Sequence, residues 1–202
     1  MSNVKYLDET LSGSEQAVTV VKKATGRLAF LYRNASLLDQ NCRKLLCMAL
    51  IQPYFDYCSS CWYSGLTARL RERLDVLQRR MVRFIFSYNP RHHVGSGDVK
   101  ALSWLFVRDR VRYFKVVHVH KVVTGRAPEY LVKRFVPVQT THTHNTRSSS
   151  YDFHISKEIS RSPSSFSYTA TKEWNALPNE IKAIGTEKLF RRKLHDHYSR
   201  SY

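Results

Sequence analysis

Residues 49–85 read ALIQPYFDYCSSCWYSGLTARLRERLDVLQRRMVRFI, an aromatic corner that runs straight into an arginine-laden amphipathic segment. Leu70, Leu74, Leu77, Met81 and Phe84 recur at intervals of three and four, with Ile85 at the edge of the same stripe. That spacing predicts a helix over 68–86 with one buried face. Arg69, Arg73, Arg80 and Arg83 fall on another side, within about 80° of one another at 3.6 residues per turn. Guanidiniums gathered on one flank repel each other unless an anion or a carboxylate network lies between them, and the acids nearby are Glu72 and Asp75. A phosphate backbone would relieve that repulsion, because arginine offers a planar fork of donors that matches phosphate geometry. The competing reading is a solvated basic face, since charge alone argues for non-specific contact and not for a site.

The rest of the chain favours a polyanion. Lys and Arg number 33 against 16 Asp and Glu, a formal net charge of +17 over 202 residues, which is more than solubility requires. Nucleic acid is therefore the expected partner, as a duplex or structured RNA held through its phosphates. No apolar run approaches the roughly 18 residues of a spanning helix, and the basic residues are spread over several elements, so no membrane partner is expected. A hydrophobic content of 43% is enough for a packed core, which excludes a basic tail. Met1 is followed by SNVKYLDET without a charged-then-apolar leader, so an intracellular, reducing location is expected. Asn34-Ala35-Ser36 is then an idle glycosylation sequon.

Outward from the decisive stretch, helical patterns dominate. Ser14 to Arg33 places Ala17, Val20, Val21, Ala24, Leu28, Leu31 and Tyr32 on one face, with Gly26 weakening the helix by about 1 kcal/mol relative to Ala. Asp39 suits the N-cap of a second helix, in which Cys42, Leu45, Leu46, Ala49, Pro53 and Tyr57 share a face and Pro53 forces a kink or break. Asn89-Pro90 breaks the chain after the arginine helix, and 92–97 is loop chemistry. A short helical turn over 98–102 leads to Val107–Thr124, where Val111, Phe114, Val117, His118 and Val122 recur as in a buried helix. Arg108, Arg112 and Lys115 share one side of it as a second basic surface. Gly125 and Pro128 end it. From 136 to 165 the composition turns to Thr, Ser and His, read as loop with a short strand around 151–155. Two terminal helices follow, carrying Tyr168, Trp174 and Leu177, then Leu189, Phe190, Leu194 and Tyr198. The expected fold is mainly α: a helical bundle over 13–135, then a loop-rich segment over 136–202 with one or two short strands and two terminal helices that packs on the bundle.

Catalytic constellations are weak. Cys58-Ser-Ser-Cys61 has zinc-ligand spacing, but a structural zinc needs four ligands and Cys42 and Cys47 lie on opposite sides of a helix, so thiols buried near Trp62 are expected. His142 and His144 alternate with threonines as on a strand edge. The serine runs at 148–150 and 164–165 have no fixed His and Asp partners, and Gly95 and Gly97 lack the lysine of a phosphate loop. No Asp-Asp or Asp-x-Asp offers ligands for a two-metal site, so neither metal nor cofactor is expected. Tyr54, Phe55, Tyr57 and Trp62 are candidates to stack on bases, with core packing as the competing reading.

Tyr6-Leu7, the Arg27-Leu28 helix, LIQPYFDYCSSCWY at 50–63, LDVLQRRMVRFIF at 74–86, LSWLFVRDRVRY at 102–113, TGRAPEYL at 124–131, TRSSS at 146–150 and WNALPNEIKAI at 174–184 follow one another in a specific order. That order resembles the region after the polymerase core of non-LTR retrotransposon reverse transcriptases, in the jockey and CR1-like branch of LINE elements, and covers nearly all of the chain. The resemblance implies a thumb-like bundle over 13–135, a C-terminal extension, and a remnant of the palm and primer grip over 1–12. It implies a clamp on template–primer duplex, a nuclear location, and a palm domain as partner in the parent enzyme. The family's Phe-Ala-Asp-Asp-type metal-binding turn and upstream endonuclease are not in this sequence, so it is not expected to polymerise alone. Tyr6-Leu7 also runs directly into Asp8-Glu9, where the family continues with Gly and a short apolar strand. Under the resemblance, Arg69, Arg73, Arg80, Arg83, Arg108, Arg112 and Lys115 would contact phosphates. The alternative is a non-catalytic relict or a domesticated helical protein-interaction domain.

Overall fold

The computed structural model describes residues 13–140 and 151–200. They are mainly helical: α1 (Ser14–Arg33), α2 (Gln40–Leu50), α3 (Gln52–Asp56), α4 (Ser59–Trp62), α5 (Ala68–Phe86), α6 (Ser96–Ala101), α7 (Val107–Val123), α8 (Glu129–Val132), α9 (Lys157–Ser160), α10 (Phe166–Asn175), α11 (Asn179–Lys182) and α12 (Glu187–Arg200). Two compact units result, one ending at Val111 and the other beginning at Arg112, so the division falls inside α7. The compositional change at 136 lies within the second unit.

In the first unit α1 packs on α5. The α1 stripe of Ala17, Val20, Val21, Ala24, Leu28 and Leu31 is buried, and so are Leu74, Leu77, Met81, Phe84 and Ile85 of α5. Tyr32, assigned to the buried face by its spacing, is 43% exposed, yet its ring meets Phe84 edge-on at 4.9 Å and its hydroxyl donates to the Arg80 carbonyl at 3.2 Å. Gly13 sets the approach to α1. Its φ of +72° is in the left-handed region, and a Cβ there would come within 2.7 Å of Trp62 Cβ.

Asp39 caps α2 as its position predicts, accepting from the Cys42 amide at 2.7 Å. The expected break falls between Leu50 and Gln52, with Pro53 in the first turn of α3, where its missing N–H is no loss. The buried side is not the one the spacing predicts. Cys42, Leu45, Ala49, Pro53 and Tyr57 end up exposed, while Cys47, Ile51 and Phe55 face the core. Thr67 caps α5, whose C-terminus closes on Ser87 at φ +56°. Arg43 reaches across to that terminus, donating to the Phe84 carbonyl at 3.3 Å, to Ser87 Oγ and to the Ala35 carbonyl at 2.7 Å. A cation at the negative end of the α5 dipole is favourable there.

Gln78 joins α5 to the start of α7. The residue is buried, its Nε2 donates to the Leu105 carbonyl at 2.8 Å, and its Oε1 accepts from the Val107 amide at 3.1 Å. Asp56 and Arg110 form a bidentate pair at 2.6 and 2.7 Å.

The second unit is built around Trp174, whose ring lies 6.2 Å from Phe153 and 6.1 Å from Phe190. Its Nε1 donates to the Tyr151 carbonyl at 2.8 Å, and the Asn175 amide brackets the Phe153 backbone at 3.0 and 2.8 Å. No strand occurs among the described residues, where one or two are expected from the sequence. An isolated antiparallel bridge pairs Pro137 with Phe153, held by Val138 N–H to the Asp152 carbonyl at 3.0 Å and His154 N–H to the Val136 carbonyl at 2.8 Å. Pro137 occupies a position whose own amide the bridge does not need, and the chain turns into a 3-10 segment at Val138, so the ladder goes no further on that side. The terminal helices are α10 and α12 with the single turn α11 between them; Phe190, Leu194 and Tyr198 are buried, but Leu189 is 37% exposed. Residues 142, 144 and 146–150, together with 1–12, lie outside the described residues.

Candidate nucleic-acid interface

Six arginines lie on α5, and the fold sorts them. Arg71 turns toward the first unit's own surface, donating to the Ser64 carbonyl at 2.8 Å with its guanidinium 5.6 Å from the Tyr63 ring centre. Arg79 takes Glu72 in an ion pair. The other nearby carboxyl, Asp75, is pushed above the usual carboxylate range, first by burial and next by the charge of Glu72. Arg69 and Arg73 are exposed and Arg80 is half-buried, and none of these three has a carboxylate within 4 Å among the described residues. The acids that the spacing puts beside the stripe are thus committed to another arginine or partly buried.

Arg83 anchors the far end of the stripe. Its Nε donates to the His92 carbonyl at 2.8 Å, joining α5 to the loop that follows it. Asp98 holds that loop, accepting from the Tyr88 hydroxyl at 3.0 Å and the Gly95 amide at 2.9 Å. Arg91, His92 and His93 are exposed on it. The sequence predicts only loop at 92–97. The Arg91-His92-His93 triplet is a signal for that placement, but its approach to Arg83 needs the folded loop.

The second basic surface expected on α7 does not form as three exposed cations. Arg108 is exposed, with Nε 3.6 Å from Asp109 Oδ1. Arg112 is paired with Glu173 at 3.0 Å. Lys115 is 4% exposed and donates to Thr169 Oγ1 at 2.8 Å, so it is an interior residue and, contrary to expectation, is not open to a phosphate. The helix is buried on most of its sides, as its valine content suggests, and a lysine one turn past Val111 is carried inward with them.

Of the stacking candidates, Trp62 and Phe55 belong to the core, and Trp62 Nε1 donates to the Tyr57 carbonyl at 2.9 Å. Tyr57 is 55% exposed and Tyr54 half-buried. Cys58 and Cys61 are exposed, contrary to the expected buried thiols: Ser59, Ser60 and Trp62 are the residues of α4 that face inward. Cys47 is the buried thiol, pushed up to about 12 by burial. No three His, Cys, Asp or Glu side chains gather as a metal site would need, among the described residues. No described helix is long and apolar enough to cross a membrane.

No protein-family model, curated protein or solved structure matches the chain.

Proposed function

We propose that the chain binds nucleic acid through the phosphate backbone, as the thumb and C-terminal region of a non-LTR retrotransposon reverse transcriptase would grip the duplex leaving an RNA-directed DNA polymerase. The observation that carries the reading is the α5 flank: Arg69, Arg73 and Arg80 lack carboxylate partners among the described residues, while Glu72 is committed to Arg79. The order of sequence motifs supports the ancestry, and the net charge of +17 supports the partner. In this reading the palm of the parent enzyme is the catalytic partner, the compartment is the nucleus, and the residues of this chain position the duplex. Phosphate contacts position without reading bases, so affinity falls steeply with salt and shows little sequence preference.

A filter-binding titration against an RNA–DNA hybrid at a series of salt concentrations tests it. Replacing Arg69, Arg73, Arg80 and Arg83 by Gln should reduce the slope of log K against log salt by about 3.6, at about 0.9 for each phosphate no longer neutralised. An unchanged slope refutes the assignment of the grip to α5.

A second reading has its own observation. Leu37 is 81% exposed, Leu45 66% and Met48 46%, an apolar group on and just before α2. A relict or domesticated protein-interaction domain would use such a surface. Weak hybrid binding, combined with self-association that Leu45→Ser abolishes in sedimentation velocity, would favour it over the clamp.

A further inference from the structure

The solvent side of α1 carries a groove that the α5 grip does not use. Thr19, Lys22, Lys23, Arg27 and Phe30 line it from α1, and Tyr54 closes it from α3; no acidic side chain lines it among the described residues. Spacings of three and four put these α1 residues on one stripe, opposite the buried one, over about 16 Å of helix at 1.5 Å per residue. The stripe has two features that a merely solvated face does not call for. Phe30 is 51% exposed at its end, with the Arg33 guanidinium 5.9 Å from its ring centre. Gly26 lies on the groove floor, where an added Cβ would meet nothing within 4 Å, so packing does not require a glycine in mid-helix. A glycine there lowers helix stability by about 1 kcal/mol and leaves the backbone open to close approach.

We infer that this groove binds single-stranded nucleic acid, with Lys22, Lys23 and Arg27 on consecutive phosphates and an unpaired base stacked on Phe30 beside Tyr54. Charge alone would suit an acidic peptide equally well. The exposed aromatic ring decides between them, because every unpaired base has a π face to offer and an acidic side chain has none. A duplex is disfavoured for the same reason: its base faces are hidden in the stack. The proposal extends the reading of the chain as a nucleic-acid binder to a second surface, and it stands or falls independently of the α5 stripe.

The test uses the full chain, with fluorescence anisotropy of labelled oligothymidylate of about 12 nucleotides, within the usual site sizes of aromatic single-strand grooves. A blunt DNA duplex serves as the second probe. Phe30→Ala should weaken single-strand binding about tenfold, the lower half of the range for one stacked base, and leave duplex binding within about twofold. Phe30→Trp should restore it, which separates stacking from any loss of fold. Lys22→Gln, Lys23→Gln and Arg27→Gln together should lower the salt slope for the single strand by about 2, at about 0.7 per phosphate. Gln at Arg69, Arg73, Arg80 and Arg83 should weaken the duplex and spare the single strand; failure of that arm alone sinks the α5 grip and leaves the groove standing. The groove is refuted if Phe30→Ala leaves single-strand affinity unchanged, if it weakens both probes equally, or if polyglutamate displaces the oligonucleotide from wild type and Phe30→Ala alike.

Discussion

Gln78 is the side chain whose removal should be most destructive to the first unit for its size. It is 5% exposed, and both ends of its amide are committed to main chain: Nε2–H to the Leu105 carbonyl at 2.8 Å, and Oε1 to the Val107 amide at 3.1 Å. Val107 is the first residue of α7, so its N–H is one of the amides that a helix leaves without an internal partner. Gln78 therefore does for α7 what an N-cap side chain does elsewhere, from a different helix. Gln78→Leu keeps the volume and the helix propensity but orphans a carbonyl and an amide beside Leu105 and Val107, both of which are buried residues. Each buried unsatisfied group costs about 1–3 kcal/mol, so the substitution should destabilise by about 2–6 kcal/mol, less about 1 kcal/mol recovered from burying an apolar in place of a polar side chain. Gln78→Glu should retain the acceptor for the Val107 amide but set a carboxylate oxygen against the Leu105 carbonyl, so it should be destabilising at neutral pH and less so in acid, where a protonated carboxyl donates again. Urea unfolding followed by tryptophan fluorescence reads both, since Trp104 adjoins Leu105. If Gln78→Leu leaves stability within about 1 kcal/mol of wild type, roughly the net contribution of a single ordinary hydrogen bond, this assignment is refuted.

Gly13→Ala should destabilise by about 1–3 kcal/mol, because it combines a left-handed φ of +72° with a Cβ 2.7 Å from Trp62 Cβ; thermal denaturation of the variant reads the loss. His120 should make the second unit acid-sensitive. The ring is stacked on Phe190 at 3.8 Å, Nε2–H donates to the Ile184 carbonyl at 2.7 Å, Nδ1 is buried without a partner, and burial above all, with Arg126 and Arg191 nearby, outweighs the Ile184 hydrogen bond and Glu187 and holds the pKa below 6.5. The unfolded chain therefore takes up the proton first: stability should be intact above about pH 6.5, fall as the pH drops below it, and level off below the depressed folded value, a slope that His120→Gln should flatten in pH-dependent urea titrations. Asp152→Ala should cost about 3 kcal/mol, since it leaves the buried Lys182 ammonium, now 2.7 Å from Asp152 Oδ1, with the Asn175 carbonyl at 3.0 Å as its remaining acceptor among the described residues; adding Lys182→Met should recover most of that loss in a double-mutant cycle.

The helices of the first unit were legible where one rule governs. A stripe repeating at three and four residues located α1 and α5, an aspartate before a polar turn located the start of α2, and a proline located the break before α3. The α2 face was misplaced because spacing takes leucines as markers of the buried side, whereas Leu45, Met48 and Leu50 of α2 are exposed. The buried side runs instead through Cys47, Ile51 and Phe55, spaced by four across the break, and Leu45 and Ala49 turn outward. Gln78 was invisible for a different reason: an amide on an apolar face looks like an imperfection of the pattern until the residues 27 and 29 positions later supply their backbone partners.

The arginine stripe shows where a helical wheel stops. The wheel ranks arginines by angle and groups Arg69, Arg73, Arg80 and Arg83, but it assigns no partners, and partners decide which charges are available to a phosphate. Arg79 differs from Arg80 by one position, yet one is neutralised by Glu72 and the other has no carboxylate within 4 Å among the described residues. Lys115 obeys the same angular rule as Arg108 and Arg112 and is nonetheless buried, because the helix that carries it has little solvent side to offer. A basic residue counts toward a polyanion site only when it reaches solvent and is unneutralised, and on α5 and α7 each condition depends on packing and partners that helical angle does not give. On α1 the two conditions hold locally: the buried stripe fixes the opposite side as solvent, and no acid lies between Glu15 and Asp39 to neutralise Lys22, Lys23 and Arg27 from the same segment. Its basic face was therefore open to prediction from spacing alone, and the arginines of α5 drew attention from it by their number.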